Sequence, residues 1–197
     1  MVSNPDERKY FKGEFHFRIK DVDIFNLKAI YTMIHEWFVE QEFCKDEADF
    51  PEIYMRERIT AKKGKEILVF WRFHQQPYGS VFYNRTYDVM IKCVGIKDVE
   101  VMQEGKKFKL QKGTFEIKVW AYLEYDAKKT WRKHPILKHL LEIFVKRIYK
   151  KEVEMHRAEL KREVEDLQKV IKEYLNLLRF DSRRPDIKNI SDVNETY

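Results

Sequence analysis

The sequence predicts an α+β domain, an antiparallel β-meander of about six or seven strands covered by an N-terminal helix and a long C-terminal helix. Three patterns lead there. Apolar residues recur every three or four positions over 24–38, alternate with polar ones over most of 52–125, and return to helical spacing from Pro135 to Phe180. The chain also has material for one substantial core, since 44% of its 197 residues are hydrophobic, with 14 Phe, 11 Tyr and 4 Trp. This composition excludes a wholly disordered or collagen-like chain.

Taken in order, residues 1–13 are mostly polar and read as a flexible arm. Phe15, Phe17 and Ile19 then share one face at a period of two, which predicts a strand. Asp21 or Asp23 is placed to cap a helix of about twenty residues bearing Ile24, Leu27, Tyr31, Ile34 and Phe38, with Ile30 and Trp37 widening the stripe. The charged run before Pro51 ends it. From 52 to 125 the alternation reads as five or six strands, separated at Gly64, Pro77 to Gly79, Gly95, Gly105 and Gln111 to Gly113. Connections this short favour antiparallel neighbours, because a parallel crossover needs about a dozen residues. Pro135 suits the first turn of a helix, and no Pro or Gly interrupts the chain from there to Phe180. About 46 residues at about 1.5 Å each would make a rod of about 69 Å. The expected organisation is an arm over 1–13, a globular domain over 14–150, a helical extension over 151–180 and a flexible tail over 181–197. In order of elements over 15–150 the chain resembles the helix-grip proteins. That resemblance implies an apolar ligand held in a cavity under the C-terminal helix.

Three groups of residues stand out as candidate sites. The first is a heptad-like seam on the extension, comprising Val153, Leu160, Val164, Leu167, Ile171, Tyr174 and Leu178, interrupted at Arg157. An apolar stripe of this length must be covered. A second copy of the chain is the favoured cover; the chain's own first helix and a different coil are the other two. Glu159, Lys161, Glu163 and Lys169 flank the seam and suit interchain pairs.

The second group is a basic patch made by Lys128, Lys129, Arg132, Lys133, Lys146, Arg147, Lys150 and Lys151. Lys138 also belongs to this stretch, whose nine Lys and Arg face the single acid Glu142, so its charge of +8 exceeds the +6 of the whole chain. A solvated helix face, an anionic membrane surface or nucleic acid, and an acidic protein would each suit it.

The third group is a possible ligand pocket of Glu57, Trp71, Phe73, Tyr83, Arg85 and Tyr87. Arg85 shares its strand face with Tyr83 and Tyr87, and an inward guanidinium needs a partner. Glu57 is the leading protein candidate, an acidic ligand head group the alternative, and a position on the rim the third.

Catalytic, cofactor and metal sites are not expected. The six His lack the spacing of a zinc-protease helix, and the six Gly build no phosphate loop. Cys44 and Cys93 form no disulfide framework, and neither sits in an activating local sequence. With no secretory segment or transmembrane span in view, the expected location is cytoplasmic. These features predict a non-catalytic interaction or scaffold protein, a homodimer or larger coiled-coil oligomer formed through the C-terminal helix, presenting its basic patch to an anionic partner. Two alternatives stand beside it: a carrier of an apolar ligand, and a single-stranded nucleic-acid-binding module. The latter would use Tyr54, Arg56 and Arg58 with Lys118, Trp120 and Tyr122 as a stacking platform.

Overall fold

The structure is a computed structural model that describes residues 11–44, 50–60, 64–77, 82–103, 106–126 and 128–182. Strand β1 (Phe11–Phe25) leads into helix α1 (Leu27–Glu40), and β2 (Glu52–Thr60), β3 (Gly64–Gln75), β4 (Tyr83–Gln103) and β5 (Lys106–Tyr125) follow as a meander. The chain then forms α2 (Thr130–Lys133), α3 (Leu137–Ile143), a π-helical turn (Phe144–Ile148) and α4 (Lys150–Ser182). All strand pairs are antiparallel, in the order β1-β5-β4-β3-β2, so the first strand lies beside the last. The sheet is open, with β1 and β2 at its edges. Residues 1–10 and 183–197 of the expected arm and tail lie outside the described residues, whereas Phe11 to Gly13 belong to β1.

Where six or seven strands are expected, the described residues form five. Gly95 and Gly113, expected in turns, lie inside β4 and β5. The β4–β5 register shifts between Val94 and Lys97, and Gly95 has a φ of 68° that a side chain would strain. Gly113 packs against this bulge: a Cβ there would stand 3.1 Å from the carbonyl oxygens of Val94 and Gly95. Two glycines therefore let one long hairpin bend where its sequence suggests two short ones.

The first helix also starts later than its spacing suggests. Asp21 and Asp23 accept from the N–H groups of their next neighbours, Val22 and Ile24, and stay within β1. Asn26 is the cap, accepting from the N–H of Ala29 at 3.1 Å, and α1 has 14 residues. Its Ile30, Ile34, Trp37 and Phe38 are buried on the same sheet face as Trp71, Phe73, Val89, Ile91, Ile117 and Val119. Phe38 stacks on Phe73 with ring centroids 4.0 Å apart.

The predicted continuous C-terminal rod is broken. Tyr149 donates its N–H to the carbonyl of Phe144 five residues back, and its ψ of 15° ends the π turn before α4 begins. The 33 residues of α4 then fold back over the sheet, chiefly along β1, with contacts to β5 and α1. No Pro or Gly marks this break. The rings of Phe144 and Tyr149 pack at 4.6 Å, and both lie near Phe82, so burial of aromatic surface takes the place of a helix breaker. None of the described helices is long and apolar enough to cross a membrane.

Candidate functional site

The seam residues belong to the core. Val153, Leu160, Val164, Leu167 and Ile171 are buried with Leu175, and Tyr174 packs at their margin, all in one cluster with the sheet residues Phe17, Ile19 and Ile117. The side chain of Leu178 lies outside the described residues. The expected oligomer contact is thus an internal one, because the break at the π turn lets the stripe reach its own sheet. The flanking lysines pair locally, Lys161 with Glu165 and Lys169 with Glu173, as does Arg157 with Glu154, each on the same helix. Such exposed pairs contribute little.

Four of the expected pocket residues are packed into the core. Trp71, Phe73, Tyr83 and Tyr87 are buried, and Phe38, Phe43 and Phe50 fill the space beside Phe73 and Tyr87. Arg85 does need a partner, but Glu57 is not it. Glu57 lies on edge strand β2, bound to Lys65 at 3.0 Å, with β3 between it and Arg85. Arg85 instead donates to Glu159 and Glu163 of α4, each at 2.5 Å, and the Tyr87 hydroxyl donates to Glu163 at 2.8 Å. These two acids, expected to pair between chains, fasten the helix to the sheet. Burial, with Glu163 beside it, pushes the Tyr87 phenol well above its ordinary pKa.

The aromatic platform is divided in the same way. Strands β3 and β4 separate Tyr54, Arg56 and Arg58 on β2 from Lys118, Trp120 and Tyr122 on β5. Tyr54 stacks on Phe70, Tyr122 is buried, and Glu116 binds both Lys118 and Arg18.

Burial pushes the Cys93 thiol up to about 12, and His74 rests against the Thr86 hydroxyl at 3.0 Å. No three His, Cys, Asp or Glu side chains among the described residues group to hold a metal.

The basic segment has the most distinctive surface. Asp126 anchors it: one carboxylate oxygen accepts from the N–H groups of Thr130 and Trp131 at 2.8 and 3.1 Å, the other from Arg132 at 2.8 Å. The Arg132 side chain turns inward to Glu124 at 2.9 Å and the carbonyl of Tyr125 at 2.5 Å. Arg132 is therefore an internal anchor and not part of the outer patch. Trp131, Phe144 and Tyr149 pack around Phe82, and Leu141 and Val145 are buried, which fixes the segment to the end of the sheet. Replacing Asp126 by Ala should lower stability by about 2 kcal/mol, since cap removal costs about 0.5–2 kcal/mol and several amides are freed here. A urea titration should show the midpoint falling with an unchanged slope.

The outer side of this shoulder is apolar too. Ile136, Leu140 and Ile143, spaced by four and three, are 65%, 45% and 53% exposed. The π turn brings Ile148, five residues further on and 67% exposed, round to the same side. Lys128, Lys129, Lys133, Lys138, Lys146, Arg147, Lys150 and Lys151 are all exposed around it. The cations are legible in the sequence, whereas helical periodicity alone does not separate these exposed aliphatics from the buried Leu141 and Val145, since it does not distinguish a wide inner face from two opposite ones. Compared with known proteins, the chain matches no family model, no curated protein and no solved structure.

Proposed function

We propose that this chain is a non-catalytic binding protein that docks its basic, apolar shoulder onto an anionic bilayer surface. The observation that carries this reading is the exposure of Ile136, Leu140, Ile143 and Ile148 amid eight exposed cations. Each Lys or Arg near an anionic leaflet contributes about 1 kcal/mol, and each aliphatic side chain that leaves water adds up to about 1.5–3 kcal/mol. A bilayer interface uses both kinds of group. Nucleic-acid phosphates would engage the cations and leave four aliphatic side chains in water. An acidic protein is the weaker fit as well, because seven of the eight cations are Lys and only Arg147 is Arg. Protein interfaces are enriched in Arg and depleted in Lys.

Vesicle co-sedimentation tests the reading. The protein should bind vesicles of mixed phosphatidylserine and phosphatidylcholine, fail to bind phosphatidylcholine alone, and be released by salt. Combined Ile136→Ser, Ile143→Ser and Ile148→Ser should weaken binding by about tenfold or more. Retained affinity in that variant, with loss on Lys150→Glu and Lys151→Glu, would mean that charge alone is read and would overturn the bilayer assignment.

A further inference from the structure

At the other end of the sheet, a groove of about 590 Å³ opens between the start of α1 and the bent β4–β5 hairpin. Its volume lies in the range of about 300–1,000 Å³ typical of small-molecule sites. The sheet supplies the apolar floor. Met55, Val69 and Ile91 are cross-strand neighbours on one row, Ile67 lies two residues before Val69, and Leu27 and Ile96 form the side walls. The wall at Ile96 depends on the bulge at Gly95, which turns the hairpin so that Asp98, Lys109 and Gln111 also reach the groove.

The charged groups that line it are unequal in sign. Lys28, Lys65 and Lys109 face a single lining carboxylate, Asp98. Asp98 accepts from Gln111 at 3.3 Å, and the other end of the same amide accepts from the N–H of Leu27 at 3.1 Å. Lys65 is engaged by Glu57, which leaves Lys28 and Lys109 with no ion pair among the described residues. An apolar trough under a cationic lip is complementary to one class of molecule.

We propose that this groove binds a single-chain amphiphile with an anionic head, of the fatty-acid class. The alkyl chain lies on Ile67, Val69 and Ile91, and the carboxylate meets Lys28 and Lys109. The chain's own favourable term is the removal of methylene groups from water, about 0.8 kcal/mol for each one buried. The head then selects by sign, since a cationic head would face lysines with only one acid among them. This site is separate from the shoulder, which adjoins the Tyr125 end of β5 while the groove adjoins Lys109 and Gln111 near its start.

Titration calorimetry with dodecanoate below its micelle concentration tests the assignment. Saturable binding of one dodecanoate per chain is expected, with dodecyltrimethylammonium at least about tenfold weaker. Combined Lys28→Glu and Lys109→Glu should weaken dodecanoate by about tenfold or more, and Met55→Glu, on the exposed edge strand, should do the same without disturbing the core. Lys150→Glu and Lys151→Glu should leave it unchanged. The methyl resonance of Met55 should shift on binding in the unmodified protein. No saturable binding, equal affinity for the two head groups, or equal loss from the shoulder variant would each overturn the proposal. Because vesicle binding is read by the shoulder substitutions alone, failure at the groove is distinguishable from failure of the bilayer reading.

Discussion

Replacing Leu160, Leu167 and Ile171 together by Ser is expected to unfold the domain, and not to convert an oligomer into folded monomers. All three are fully buried against the chain's own sheet. Truncating one buried Leu or Ile to Ala costs about 2–5 kcal/mol, and a serine hydroxyl adds an unpaired polar group to the cavity. Even at the lower figure, three such changes remove more than about 6 kcal/mol. That is comparable to the about 5–15 kcal/mol of net stability a domain possesses. Circular dichroism should show the loss of a cooperative thermal transition. Light scattering on the soluble fraction should not show a compact monomer replacing a compact dimer. A variant that stays folded and merely halves its mass would place the seam between chains and overturn the internal packing.

The second large effect is expected at Arg85. Substituting Leu removes the guanidinium that holds Glu159 and Glu163 and leaves two carboxylates facing an apolar surface. Breaking a well-buried pair from one side costs about 3–5 kcal/mol. Here Glu163 is 21% and Glu159 40% exposed, so water relieves part of that penalty and about 2–3 kcal/mol is the expected loss. Adding Glu163→Gln should recover part of it, because a neutral amide is easier to leave without its partner, and Tyr87 can still donate to the amide oxygen. A double-mutant cycle measured by denaturant titration gives the coupling directly. Additive losses would show that Arg85 and Glu163 do not act as a unit. Hydrogen exchange along the middle of α4 should quicken in the Arg85 variant, since this cluster fastens the helix to β4.

The candidate shoulder depends on the same local detail that interrupts the C-terminal rod. Were the helix continuous through 144–149, Ile148 would fall closer to the Leu141 and Val145 side, and the outer stripe would end at Ile143. The extra residue in the π turn carries it outward. The turn thereby does two things: it frees α4 to fold back over the sheet, and it lengthens the exposed apolar surface among the lysines. Neither consequence is visible in composition, which registers only the local excess of positive charge.

By itself the sequence determined the α+β class, the antiparallel meander and the two main helical regions, since periods of two and of about 3.6 are local properties of the chain. It also determined that the stripe from Val153 to Ile171 must be covered, that Arg85 must find an acid, and that positive charge gathers over 128–151. Only the tertiary structure decided what meets those needs. A stripe repeating every three or four residues is equally suited to a partner helix and to a sheet, and the choice turned on a helix break that no Pro or Gly announces. The acids for Arg85 lie more than seventy residues away on α4, a separation that no local pattern spans. Gly95 and Gly113 read as turns until pairing across β4 and β5 makes them the two sides of a bulge. The groove that follows from this bend is lined by residues of α1 and its cap together with β2, β3, β4 and β5, so its apolar floor and cationic lip are properties of the folded chain alone.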